Sequence, residues 1–454
     1  MQIQIMKKQF FITLLVIIIT ILIIPKLDAQ KSYDDLSKLK TVPVKHYIFD
    51  KVNQDMNIWS AMYIASNNKI YIGTSTHADA ASVYEFDIAT STMKRLANLS
   101  ILMDERGKGT WTTGKIHVRM QEIDGYVYFA SFVEDSGPPA IDANSYEGCH
   151  WFRINIGTGK VEPLSKINTF WGCTGQAMDK ERRIIYGLDE LGYLNRYFID
   201  EDYSENMGRV DNWDVCRTIF IDDSGNVYGS YPPGLIWKYD VGKDRILNLE
   251  YLRVPVTLDS RTMANPMLDR RNQWRVIEWD PVDKVAYGIV GGSNLLFKFD
   301  VYKGPEGEIT PLTPMYAPMY IGGRFFDIPQ ATLTLTINQK NRKIYYIPVT
   351  GGDFDYGLVN LNVGTNNKKT TIPIRTVRSQ AYMVDYDLKT GKREEVGLLK
   401  PTDGSFASGM EAVGTDKDGK VWFVGSFIQS DEVIKINGGF RRALGLGCYD
   451  PFAK

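Results

Sequence analysis

Histidine and cysteine are both scarce in this 454-residue chain, with four of each. The cysteines, Cys149, Cys173, Cys216 and Cys448, are too few to staple so long a chain, and no two form a Cys-x-x-Cys pair. That excludes a compact disulfide scaffold, while buried free thiols and one local bridge both remain open. No His-x-x-x-His spacing or carboxylate cluster suggests a metal centre. No cofactor is therefore expected, and a structural zinc or calcium ion is open but not indicated. An excess of one charge is also missing: 53 Lys and Arg face 54 Asp and Glu. This balance excludes a globally basic nucleic-acid binder. There is no Gly-rich phosphate loop, serine nucleophile elbow or repeated Asp-box, so nucleotide, esterase and sialidase chemistry lack support.

Long apolar runs are reduced to one. Lys7 and Lys8 precede Phe10 to Ile24, and Pro25 and a Leu27-Asp28-Ala29 triplet follow. Fifteen residues are short for a bilayer span, so residues 1–29 read as a removed signal peptide, with a retained anchor as the alternative. The mature chain is then expected to be secreted or periplasmic and monomeric, with no membrane contact beyond the export signal. Losing three Lys and one Asp moves the net charge from −1 to −3.

What the chain has in quantity is strand and turn material: 26 Tyr, 9 Trp and 40 Gly, with no long amphipathic helical pattern. A strand with a central aromatic, entered through a turn rich in Gly, Asn, Lys or Arg, recurs along it. Its members are Lys69-Ile70-Tyr71, Tyr126-Val127-Tyr128, Ile184-Ile185-Tyr186, Asn226-Val227-Tyr228, Lys284 to Tyr287, Lys343-Ile344-Tyr345 and Lys420-Val421-Trp422. The aromatics are 57, 58, 42, 59, 58 and 77 residues apart, the length of a four-stranded blade with variable loops. A further strand ending in Asp or Asn follows most of them, as in Val83 to Asp87, Trp237 to Asp240 and Phe297 to Asp300. These features predict an all-β, seven-bladed β-propeller over residues 30–454, as one domain. After the seventh aromatic, Gly438 to Lys454 is thin for an outer strand, and Val42 to Phe49 can supply it from the N-terminal end, closing the ring. Gly351 to Gln380 is expected to form a loop or extended hairpin in blade six.

Aligning the repeats brings a few unusual residues to one face. His117 is placed in the innermost strand of blade two, and His150 opens that blade's third strand. Aligning Arg153 with Arg196 and Lys238 puts Tyr193 at the equivalent position of blade three. Arg217 opens the innermost strand of blade four. His77 falls in the comparable loop of blade one, but it and His46 are read as incidental. Each residue also has an ordinary reading: a hydrogen-bonded core histidine, a loop cap, one blade-filling tyrosine among 26, an arginine paired with Asp214 or Asp222. Their convergence is what points to chemistry.

The segments Gly114-Lys115-Ile116-His117, Asp124 to Phe129 and Glu147-Gly148-Cys149-His150-Trp151-Phe152 resemble those of propeller-type polysaccharide lyases, above all the ulvan lyases, over about residues 111–228. Glu134 to Tyr146 is an insertion relative to that pattern. The resemblance implies β-elimination on an acidic, uronate-bearing, possibly sulfated glycan. It implies His117, Tyr193 and Arg217 as catalytic residues and His150, Arg275 and Trp111 as substrate contacts. A permanent guanidinium suits neutralising the uronate carboxylate, and imidazole and phenol suit proton transfer. Which of the two takes the proton is left open. Two other functions compete. A non-catalytic glycan- or protein-binding propeller would use Trp111, Trp171 and Trp213 as platforms. A hydrolase would use carboxylates such as Asp189, Glu190 and Glu278.

Overall fold

The computed structural model describes residues 39–49, 58–75, 81–105, 108, 111–134, 146–167, 171–210, 216–256, 272–315, 331–350, 353–362, 369–377, 380–403, 405–428 and 442–453. The export segment, His77, Trp213, Asp214 and nearly all of the Glu134–Tyr146 insertion lie outside these residues. The described chain is all-β, with one four-residue α-helix, Leu99–Leu102.

Five separate four-stranded antiparallel sheets follow one another in chain order. The first holds Met62–Ile64, Lys69–Gly73, Ser82–Asp87 and Thr92–Asn98. The second holds Gln121–Ile123, Tyr126–Ala130, His150–Asn155 and Val161–Lys166. The third holds Cys173–Asp179, Ile184–Asp189, Tyr193–Phe198 and Tyr203–Arg209. The fourth holds Phe220–Ile221, Val227–Tyr231, Leu235–Asp240 and Arg245–Leu249, and the fifth Trp274–Asp280, Val285–Val290, Leu295–Asp300 and Glu308–Pro314.

The rest of the chain forms one nine-stranded sheet made of two such meanders. One comprises Leu335–Asn338, Lys343–Tyr346, Gln380–Asp387 and Lys392–Pro401, with Val349–Thr350 on its flank. The other comprises Phe406–Thr415, Val421–Ile428, Arg442–Tyr449 and, as its fourth strand, the N-terminal Thr41–Ile48. That N-terminal strand joins the two meanders. Thr41 to Val44 pair in parallel with Leu398 to Pro401, and Lys45 to Ile48 pair antiparallel with Cys448 to Gly445. Within the insertion after Thr350, Asp353–Asn362 and Lys369–Val377 pair as a separate antiparallel hairpin.

In two of the units the recurring turn and aromatic form one device. Asp222 ends the fourth sheet's innermost strand, and its Oδ1 accepts from the backbone N–H of Ser224 and Asn226, both at 2.9 Å. Its Oδ2 accepts from the Tyr228 hydroxyl at 3.0 Å, so the turn carboxylate also anchors the next strand's aromatic. Asp416 does the same for Asp418, Lys420 and the Trp422 indole. Burying a ring whose polar end is satisfied in this way lets Tyr and Trp fill the space between sheets.

Successive sheets pack face to face, and their innermost strands lie against one another around a common cavity of about 440 Å³. Its wall includes Tyr63, Gln121, Gln176, Phe220, Glu278, Thr336 and Thr415, which come from the innermost strand of every four-stranded unit. The arrangement is propeller-like, with this cavity as its axial channel.

Candidate functional site

The end of the sheets at which the innermost strands begin, here called the entry face, gathers most of the residues singled out in the sequence. His117 was expected in the innermost strand of the second sheet, and the structure places it outside any strand. The second sheet's innermost strand starts at Gln121, and His117 sits in the irregular segment before it. Upstream, Thr112–Lys115 pairs with Phe132–Glu134 as a separate two-stranded ribbon, a feature the repeat did not anticipate. Arg217 likewise precedes its strand, which begins at Phe220. Both residues therefore belong to the loops that feed innermost strands.

Those two loops meet. Arg217 Nη1 lies 2.5 Å from His117 Nδ1, with the residues 9% and 4% exposed. Two aromatic rings enclose the pair. Phe132 stacks on the imidazole, with centroids 4.5 Å apart and planes at 12°. Trp59 lies 5.1 Å from the imidazole and 4.7 Å beneath the guanidinium carbon. The His117 carbonyl accepts from Ser60 Oγ at 2.5 Å. Arg217 is held by its neighbours' backbone: the Thr218 carbonyl accepts from the Trp274 indole at 2.8 Å, and Gly175 packs directly against the Cys216 carbonyl.

This geometry settles a tautomer. A guanidinium has no lone pair to offer, so Nδ1 must accept, and the ring proton of the neutral imidazole then sits on Nε2. His117 is thus set as a hydrogen-bond donor at Nε2. The alternative partner suggested for Arg217, Asp222, is committed instead to its own turn and to Tyr228.

His150 and Tyr193 occupy equivalent positions, each opening the third strand of its sheet. The His150 backbone is bonded in both directions to Ser131: its N–H donates to Ser131 Oγ at 3.0 Å, and Ser131 Oγ donates to its carbonyl at 3.1 Å. Ser131 adjoins Phe132, so the His150 backbone is tied next to the residue whose ring stacks on His117. Burial pushes the His150 imidazole below its ordinary value. Lys166 adds to the fall, against an opposing Gly148 backbone bond and Glu147. Its neutral form therefore predominates at neutral pH. The Tyr193 N–H donates to Asp189 Oδ1 at 2.7 Å, and the Arg209 guanidinium lies 5.8 Å over its ring. No hydrogen bond joins Tyr193 to His117 or Arg217 among the described residues.

No family model matches this chain, and no curated protein matches it in sequence. Among solved structures, it is similar in fold to a chain in a crystal structure titled Mitotic Checkpoint Complex, at a TM-score of 0.50 and 8% identity. The likeness covers 94% of this chain and 98% of that one. At that identity it bears on the fold alone.

Arg275 is the second residue of the fifth sheet's innermost strand, one sheet beyond Arg217 at the same face. Trp111 stands just before the ribbon, its ring 5.7 Å from that of Trp171, and both are half-buried. Of the carboxylates considered for hydrolysis, Asp189 and Glu278 come from different sheets. Asp189 is fully buried and its Oδ1 holds the Leu191 and Tyr193 N–H groups, whereas Glu278 lies in the channel against Arg119. Among the described residues no group of three or more His, Cys, Asp or Glu is placed to hold a metal ion. The four cysteines are free thiols, and Cys149, wholly buried, has its thiol pushed up to about 12 by desolvation.

Trp59, Ser60 and Phe132 were not anticipated as site residues. Trp59 had a legible signal, because it precedes the first sheet's innermost strand much as His117 and Arg217 precede theirs. Phe132 had none, since among the described residues the ribbon that carries it has no counterpart in the other repeats.

Proposed function

We propose that this chain is an exported seven-bladed β-propeller that binds an acidic, uronate-bearing polysaccharide at its entry face and cleaves it by β-elimination. The blade count is supported by the seven repeat aromatics, Tyr71, Tyr128, Tyr186, Tyr228, Tyr287, Tyr345 and Trp422, each of which falls in the second strand of a four-stranded unit. The functional reading is carried by one observation, the Arg217–His117 pair walled by aromatic rings at the channel mouth. The likeness of residues 111–228 to ulvan lyases supports it independently of that geometry.

In this reading Arg217 keeps Nη1 on His117 and offers its remaining N–H groups to the substrate carboxylate, offsetting the charge that builds on it as the C5 proton leaves. A base takes that proton, the C4=C5 double bond forms, the C4–O4 bond breaks, and the departing O4 receives a proton. His117, with its ring proton on Nε2, donates a hydrogen bond to the departing oxygen, and the proton that O4 receives is the one taken from C5, returned by the Tyr193 hydroxyl. The abstraction falls to Tyr193, with the neutral His150 imidazole beside the substrate. Arg275 and Trp111 extend the contact surface along the same face. No metal or cofactor enters this scheme.

The Trp111–Trp171 pair also favours a second reading, a propeller that holds a glycan by ring stacking without cleaving it. One experiment separates the two. The purified protein is incubated with ulvan and other polyuronates while ultraviolet absorbance of a 4,5-unsaturated uronate is followed, with retention on the same glycans measured alongside. Cleavage that Arg217→Ala and Tyr193→Phe both abolish is the expected result. Retention with no new double bonds selects the binding reading, and cleavage surviving both substitutions overturns the residue assignment.

A further inference from the structure

Arg119 lies two residues beyond His117 in the same strandless segment, and its side chain crosses the channel. Nη1 donates to Glu278 Oε2 at 3.1 Å, and Nη2 donates to the Leu335 carbonyl at 2.8 Å. Glu278 belongs to the fifth sheet and Leu335 opens the next, so both lie across the ring from the second sheet. The receiving end is itself fixed, because Glu278 Oε1 accepts from the Ile337 N–H at 3.1 Å. The two charged side chains are 23% and 27% exposed. An ion pair of that exposure is weak evidence for stability, since desolvation offsets most of the attraction; its firmer effect is to fix a geometry.

The segment needs such a fix. Between the ribbon strand ending at Lys115 and the innermost strand starting at Gln121 it belongs to no sheet. Its backbone is held from the first sheet's side, by Ser60 on the His117 carbonyl and by the Ile116 N–H on the Thr74 carbonyl at 3.3 Å. Arg119 supplies the hold from the opposite side of the channel. We infer that Arg119 is a positioning residue for His117, tying its segment to the far wall so that Nδ1 stays in line with the Arg217 guanidinium. Glu278 and the Leu335 carbonyl are the anchor points of that tie.

This inference rests on reading His117 as part of a working site, yet its first test needs no turnover. With only four histidines, ¹⁵N-histidine labelling gives a sparse imidazole spectrum in which His117 is assigned by His117→Gln. The wild-type protein should show His117 neutral, with its proton on Nε2. Arg119→Met and Glu278→Gln should each shift or broaden the His117 signals and leave those of His46, in the N-terminal strand, in place. Glu278→Gln removes the ionic anchor of the tie, leaving the Leu335 carbonyl bond and the His117 segment unaltered, so it carries the test if Arg119→Met does not fold.

Where turnover is present, kcat should fall roughly tenfold to a hundredfold with KM within about twofold, because a displaced group costs rate more than binding. Arg119→Lys should recover part of the loss. Unchanged His117 signals in both variants overturn the inference whatever the activity. If the signals move while neither wild type nor variant releases unsaturated product, the positioning role stands and the lyase reading fails.

Discussion

Arg217 and His117, a hundred residues apart in the chain, meet at 2.5 Å between Nη1 and Nδ1. Removing the guanidinium takes away both the charge available to a carboxylate and the donor that fixes the imidazole. Arg217→Ala should therefore lower kcat/KM on a cleaved polyuronate by about a hundredfold to a thousandfold. It should cost about 1–3 kcal/mol of stability for the acceptor it leaves. Arg217→Lys keeps the charge but not the planar fork, and should recover only part of the rate. Initial rates by ultraviolet absorbance, with urea unfolding of each variant, check both statements.

His150 provides a test in pH. Its folded pKa is depressed below the ordinary 6.5, chiefly by burial. A depressed histidine binds fewer protons folded than unfolded in the window between the two values. Its contribution to stability is thus complete above about pH 6.5 and is lost as pH falls through the folded value. His150→Gln should flatten that part of the stability profile, and an imidazole titration by NMR should place His150 below 6.5. A titration at or above 6.5 would contradict the burial that the structure gives this ring.

Gly229 faces Trp237 across the fourth sheet, and a Cβ there would lie 2.3 Å from the indole of a fully buried residue. Gly229→Ala is expected to destabilise by about 1–3 kcal/mol through overpacking. Gly242→Ala, whose nearest contact would be 3.5 Å, serves as the control and should be close to neutral. Thermal or urea unfolding of the two variants makes the comparison direct.

The thiols give a chemical count. Cys149, Cys173 and Cys216 are fully buried and Cys448 is largely so; burial pushes the Cys448 thiol up to about 12. Thiolate is the reactive form, so native protein at pH 8 should react very slowly with an aromatic disulfide reagent. After unfolding in guanidinium, four thiols per chain should react at once. Fewer than four would reveal a bridge.

The strands were legible because each repeat carries its own local instruction. Asp222 and Asp416 were visible as turn residues, and the aromatics six residues later mark the strands they anchor. The N-terminal strand was legible too, from the shortage of chain after Trp422. The equivalence of His150 and Tyr193 followed from Arg153 and Arg196, which occupy matched places in their third strands. The site was harder to read where it departs from the repeat. Among the described residues the Thr112–Lys115 ribbon has no counterpart in another unit, so His117 was assigned to a strand that begins four residues later. The tie from Arg119 to Glu278 spans 159 residues and half the ring, and no local pattern encodes a contact of that kind.

The N-terminal strand sets a condition on assembly. Its hydrogen-bonding partners are residues 398–401 and 445–448, so this first described strand stays unpaired until residue 401 has been made and only half-paired until residue 448 has followed. Every intermediate sheet can form as it emerges, but the circle cannot shut on a nascent or truncated chain. Loss of even the final dozen residues would expose two raw edges at once, and a fragment lacking them should be lost to aggregation rather than persist as a slightly smaller ring.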